Sequence, residues 1–367
     1  MLNIKKNKIK ILLLGLLSTA LLSGETSAAE DPAWQYGVPA YEEAPVSITQ
    51  DGPKLLFSDS PEMVKNCGIM YRDTVEGDVR LFFHHVNDMD EVRKLSVVLR
   101  RATRRPSQVV LGKHGVSRAN EDWLAAGKEA QQRYYASVPN GKKILVAGSK
   151  DLLNNGRGMV LGPQELITGI VDLHIDRPVE VSVLMMPVEA DSGISAHLYP
   201  ILPPDEGGHV LRGTFEKADC HVTLTEPFNT NKSEIWGITL ADDQKNLYVR
   251  GKDATTGKPV VNYGNYGVLY DVSFKTQGRR NTVLRLNPYG GPFAGQGILE
   301  IEGKPAKYIK LPSHDLSFGW EHDGETMKLG TIPAGKSGAF HFSPPGSSNL
   351  PIRLFWQGTK VNKTNGK

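Results

Sequence analysis

Apolar and polar positions change places every one or two residues through most of this chain, in short runs broken by Gly, Pro, Asn and Asp. That is the pattern of half-buried β-strands rather than of helices. Residues 68–73 and 79–86 carry β-branched and aromatic side chains, and Glu76-Gly77-Asp78 between them predicts a hairpin turn. Strands continue at 95–99 and 108–111, with Arg104-Arg105-Pro106-Ser107 as their turn, and then at 143–147, 166–175 and 179–186. The last two are joined by Asp176-Arg177-Pro178, and Val179, Val181 and Val183 fall on one face. Leu81, Phe83, Val181 and Val183 are the expected core of this half.

One segment has a helical period. In residues 119–137, Trp123, Leu124, Gly127, Ala130 and Tyr134 recur at spacings of three and four. Asn120 is the expected cap, Glu121 and Asp122 fill the first turn, and Pro139-Asn140-Gly141 ends the helix. Residues 187–209 form a long connection holding Pro187, Pro200, Pro203-Pro204 and Gly207-Gly208. Beyond it the strand pattern returns without a helix at 210–215, 221–225, 235–240, 267–275, 281–286, 294–301, 306–310, 326–332, 339–342 and 352–356. The expected fold class is therefore mainly β, with two β-sandwich-like or jelly-roll-like domains, the first carrying one packed α-helix. The boundaries read as an extended leader over 30–53, a first domain over 54–205, a second over 206–360 and a polar tail over 361–367.

The first 29 residues change the picture of charge and compartment. Lys5, Lys6, Lys8 and Lys10 precede an apolar run at 11–22, and Ser27-Ala28-Ala29 offers small residues for cleavage after Ala29. This is the order of a cleavable export signal, and the run is too short to span a bilayer of about 30 Å. The expected location is secreted or cell-envelope, with no transmembrane segment after cleavage. Those four lysines, set against Glu25, account for the formal net charge of +3. The mature chain is near neutral, so nucleic acid is not an expected partner. With 38 Gly and 23 Pro the composition suits a turn-rich β protein. The two cysteines, Cys67 and Cys220, are candidates for a disulfide in an oxidising compartment, or two separately buried thiols.

No motif joins residue type and spacing as a known chemistry demands. His84 and His85 are neighbours on a strand, so their rings face opposite sides and do not share a metal without a bulge. One is expected inward and hydrogen-bonded, the other exposed; either is a weak candidate ligand together with residues from other strands. His174, His197, His209 and His221 lack ligand spacing, as do His314, His322 and His341. Residues 287–297 are Gly-rich but open a strand, not a helix, which argues against a phosphate loop. Gly193-Ile194-Ser195-Ala196 lacks the closing glycine of a nucleophile elbow. No catalytic residue and no cofactor is assigned.

Two surfaces are candidates for binding. Tyr263, Tyr266, Tyr270 and Tyr289, with Phe293, surround two Asn-Tyr-Gly phrases and suit stacking on sugars, with Trp236 and Trp320 as further members. The basic run Arg93-Lys94, Arg100-Arg101 and Arg104-Arg105 suits an anionic polymer or headgroup, or else is the solvated face of a hairpin.

The phrases at 77–87 (GDVRLFFHHVN), 211–215 (LRGTF), 264–267 (GNYG) and 287–291 (NPYGG) resemble segments of a group of uncharacterised exported bacterial β-rich proteins, some carrying a copper amine oxidase-like N-terminal domain. The resemblance covers most of residues 60–357 and implies an envelope or secreted location. Amine oxidation is not implied: both Asn-Tyr pairs are followed by Gly, where the quinone precursor of those oxidases is followed by an acid. The expected function is surface or matrix binding, or adhesion, without catalysis; the partner would be a cell-wall polymer, a glycan or another envelope protein. A secreted carbohydrate-binding or carbohydrate-active protein is the second reading, and an exported metal-binding protein using His84 or His85 the third.

Overall fold

A computed structural model describes Trp34 and residues 37–314, 316–321 and 325–360. The expected signal, the polar tail and His322 lie outside the described residues. The protein is mainly β, as its pattern predicts, with two α-helices among the described residues.

Two strands of unusual length organise the first half. Gly68–Asn87 and Leu166–Pro187, of 20 and 22 residues, pair antiparallel almost end to end. Both turn signals expected within them prove to be something else. Gly77, at φ 82°, stands opposite Ile175, and the register shifts between Ile175 and Val179. The hairpin expected at Glu76-Gly77-Asp78 therefore does not form. Gly77 and Asp176-Arg177-Pro178 face each other across one ladder and bend it, the work of a β-bulge rather than of a chain reversal.

Arg93–Arg101 and Ser107–Val116 do not pair with each other either. They follow one another along the free edge of Leu166–Pro187, one on each side of the same bend. Asp176 fixes the break, because its carboxylate accepts from Ser107 Oγ and Gln108 N. Lys54–Ser58 lies parallel to Gly68–Asn87 on the other edge, with Arg212–Phe215 antiparallel to it.

One face of this long sheet buries Leu81, Phe83, Val181 and Val183, the expected core. The other face, through Phe57, Phe82 and Ile170, joins the core of the second half. That half is a sandwich. One sheet runs Glu42–Glu43, Ile235–Leu240, Ile352–Gly358, Thr282–Asn287 and Met327–Ile332; the other runs Val46–Asp51, Asp219–Leu224, Leu269–Phe274, Gly338–Phe342, Gly295–Ile301 and Lys307–Leu311. The span 30–53, expected as an extended leader, instead supplies two of these strands. Alternate residues of Val46–Asp51 are half-buried against Asp219–Leu224, a period-2 pattern that is short and polar enough to read as linker. Arg212–Phe215, from beyond residue 205, returns to the long sheet, so paired strands lie on both sides of that boundary.

Helix α1 (Trp123–Ala136) lies between the halves. Asp122, not Asn120, caps it, accepting from Ala125 N; Asn120 accepts from Asp122 N one step earlier, so the acids precede the first turn instead of filling it. Its buried Gly127, Ala130 and Tyr134 face the sheets, and Gly127 lets the backbone of Gly346 come against it. Gln131 binds Ser343 O and Gln296 N, and Lys128 binds Pro312 O and Leu316 O, all in the sandwich. Helix α2 (Ser192–Leu198), capped by Asp191, lies in the 187–209 connection, where seven residues carry too little periodicity to be read.

Two buried arginines complete the junction. Arg80 pairs with Asp172 at 2.8 Å and Asp219 at 2.7 Å, bridging the long sheet and the sandwich. Arg212 pairs with Asp253 at 3.1 Å and donates to Met70 O and Leu202 O.

Candidate functional site

His84 and His85 sit near the buried end of Gly68–Asn87. Because Lys54–Ser58 is parallel to that strand, with Ser58 opposite Phe83, the chain leaving Ser58 runs beside both histidines before Met63–Val64 pairs with Val86 and Asn87. Residues 59–62 are thus held against them. Asp205 fastens this loop by accepting from Ser60 Oγ and Glu62 N.

The rings do point to opposite sides, but neither is exposed, at 2% and 0%. The expectation of one exposed histidine fails because the 59–62 loop covers one side and the sandwich the other. His85 Nδ1 lies 2.9 Å from Pro61 O, which can only accept, so Nδ1 carries the proton and Nε2 accepts from Ser58 Oγ at 2.8 Å. Burial pushes its pKa down to about 3. His85 is thereby held between Pro61 and Ser58, and it has no place in the cluster of carboxylates that gathers around His84.

His84 is placed differently. Nδ1 meets Thr168 Oγ1 at 2.5 Å, while Nε2 faces Ser347 Oγ at 3.1 Å and Glu62 Oε1 at 3.7 Å. Ser347 belongs to the sandwich, and its loop approaches so closely that a Cβ on Gly346 would overlap His84 Nδ1. Ser347 itself holds φ at 62°, a strained value for a residue with a side chain. The Asp59 carboxylate completes the group: ligand atoms of Asp59, Glu62 and His84 all lie within 4.8 Å of one another.

The electrostatics are unbalanced. Asp59 is 7% exposed and its Oδ1 has no hydrogen-bond partner. Burial, reinforced by the charges of Glu62 and Asp205, raises its pKa well above the ordinary carboxylate value. Glu62 is held below its ordinary value, chiefly by His84 beside it, against the cost of its own burial. Two carboxyl groups and an imidazole around a point are a ligand set for a divalent transition ion. A tetrahedral ion with bonds of about 2.0–2.2 Å sets its ligands about 3.3–3.6 Å apart, so the group needs to close by roughly 1 Å. Thr168 on Nδ1 orients the ring as the outer partners of ligating histidines do.

The expected aromatic surface does not assemble. Tyr270 and Phe293 are buried; Tyr270 bonds Asn246 and Asn265 and stacks on Phe342. Tyr266 turns inward onto Phe57 and Phe82 and donates to Ser348 O. Tyr263 stacks on His209 and Tyr289 lies under Arg353, in separate places. Asn262 and Asn265 are buried turn residues: Asn262 bonds Tyr266 N and O, and Asn265 bonds Val249 N. The basic run is also dispersed. Arg100 makes a two-fold pair with Glu180, Arg101 donates to Arg104 O, and Arg104 and Arg105 are exposed beside the bend. Cys67 and Cys220 are both free, so the candidate disulfide is absent; Cys220 is buried beside Asn246 in the sandwich, and Cys67 is half-buried just before Gly68–Asn87.

Asp59, Glu62, Thr168 and Ser347 escaped sequence reasoning, since they come from three separate stretches with no shared spacing. The available signal was Ser58 to Glu62, a polar stretch directly after an apolar strand.

No family model matches the chain, and no curated protein matches it. Among solved structures it is similar to the CUB1-EGF-CUB2 domains of rat MASP-1, at 10% identity over 87% of this chain and 99% of that one, with a TM-score of 0.19. It is also similar to the CBM22-1-CBM22-2 tandem domain of Paenibacillus barcinonensis Xyn10C, at 11% identity over 85% and 99%, with a TM-score of 0.16. Overlaps this small carry no inference about function.

Proposed function

We propose that this chain is an exported, non-catalytic binding protein that holds one divalent transition-metal ion through Asp59, Glu62 and His84. The observation that carries this reading is the Asp59 carboxylate, buried with Oδ1 unpartnered and within ligand reach of Glu62 and His84. A buried acceptor left without a donor costs about 1–3 kcal/mol, and a cation supplies what is missing. The ion would neutralise both carboxylates. With Ser347 on one side of it and the 59–62 loop on the other, it would also fasten the sandwich to the long sheet.

The test is metal content and stability together. Protein purified without chelators should hold about one zinc or manganese per chain, and thermal unfolding should shift upward when that metal is restored after chelation. His84→Ala should remove both effects. Asp59→Asn should remove them too, while leaving the metal-free protein at least as stable as the parent, because a buried carboxyl without a partner has gone. Chain that holds no metal, and whose unfolding ignores added zinc and manganese, would contradict the reading.

A further inference from the structure

A cleft of about 650 Å³ opens where the first turn of α1 meets the loops of the sandwich. Glu121, Asp122 and Trp123 line it from the helix, and Pro292, Trp320 and Asn349 line it from the sandwich. The sandwich side is fixed by its backbone. Phe293 and Phe318 exchange hydrogen bonds at 2.6 and 3.1 Å, and Asn349 N donates to Pro292 O at 2.8 Å. Gly319 lies so close to this loop that a Cβ on it would overlap Gly291 O. The Gly-rich stretch 287–297 is thus a platform that carries Trp320 at the cleft.

Trp34 and Trp356 are buried and Trp236 is half-buried, but Trp320 is 67% exposed and stacks on no other ring among the described residues. Trp123 is half-buried beside Ala126 and Leu166, and its indole N–H donates to Gln164 O, which sets the position of its ring. Indole faces are apolar and carry the negative side of the π quadrupole, so they attract flat apolar groups and cations alike.

The charges in the cleft have one sign. Asp122 accepts from Ala125 N through Oδ1, and Glu121 is exposed with no hydrogen bond or ion pair among the described residues. No lysine or arginine lines the cleft among those residues. A concave surface lined by one sign of charge concentrates ions of the other, and the indoles favour the same sign.

We infer that this cleft binds an amino sugar. Trp320 stacks on the apolar face of the ring, and the carboxylates of Glu121 and Asp122 take the ammonium. Asn349, exposed beside them, supplies a donor and an acceptor for hydroxyl groups. Of the groups around His84 only Ser347 lines the cleft, and it is not one of the metal ligands, so the two readings stand or fall separately.

Titration calorimetry on metal-free protein tests it, with a fully deacetylated glucosamine trimer and the N-acetylglucosamine trimer as its neutral counterpart. The solution is held at about pH 6, where carboxylates are ionised and amines protonated. Salt at about 0.15 M screens distant surface charges. The glucosamine trimer should bind at one site, and the acetylated trimer at least tenfold more weakly. Trp320→Ala should weaken the binding at least tenfold and Glu121→Gln at least threefold; both side chains are exposed, so circular dichroism should show the fold unchanged. In the parent, indole emission should shift to the blue as the trimer covers Trp320, and Trp320→Ala should lose that shift. Absence of binding, equal binding of the acetylated trimer, or an unchanged affinity in Trp320→Ala would overturn the proposal.

Discussion

Cys220 lies in the sandwich core, where burial pushes its thiol up to about 11, and Asn246 donates to its sulfur. Cys67 is only half-buried. In native protein one thiol per chain should therefore react readily with an aromatic disulfide reagent, and the second only after unfolding. Two unreactive cysteines that remain so in denaturant would indicate a disulfide and a different packing of residue 67. At this scale the sequence was legible for Leu81, Phe83, Val181 and Val183, because strand alternation alone decides which way they point. It was not legible for Asp59, Glu62 and Ser347. Their meeting with His84 depends on a parallel strand pair and on a loop from the far end of the chain, and neither leaves a local spacing.

Among the elements, Val46–Asp51 shows how a tertiary partner makes a strand from a polar stretch. Its outermost carboxylate, Asp51, receives His221 Nε2 at 2.8 Å, which with Asp271 raises the pKa of His221. A histidine whose folded pKa is raised adds stability that is fully present below the unfolded value of about 6.5. That contribution is lost as pH rises through the folded pKa. Amide exchange in Val46–Asp51, corrected for the intrinsic effect of pH, should therefore quicken between pH 6 and pH 9 relative to Leu166–Pro187, and His221→Gln should abolish the difference. Equal protection of the two strands at both pH values would contradict this.

The turn signals teach the complementary lesson. Glu76-Gly77-Asp78 and Asp176-Arg177-Pro178 carry the residues of chain reversal, and reading each as the end of a strand is locally sound. Only their mutual register, one opposite the other, converts them into a bend in a continuous ribbon. Helix α1, by contrast, was legible almost to its ends, because its period is internal to it.

For the whole molecule, the two halves are held as one body by α1, by the shared core around Phe57 and Phe82, and by Arg80. Removing one member of a buried ion network leaves charges without partners, at a cost of about 3–5 kcal/mol. Arg80→Ala should lower the unfolding free energy by that order in denaturant titration. A change under about 1 kcal/mol, the usual size for a surface pair, would mean that the junction does not rest on this network.

The same junction carries the proposed ion, and a crystal grown with zinc gives the most direct view of it. An anomalous difference map at the zinc edge should show a peak at about 2.0–2.2 Å from carboxylate oxygens of Asp59 and Glu62 and from His84 Nε2. A map without density there, from crystals whose zinc appears only at surface residues, would contradict the assignment.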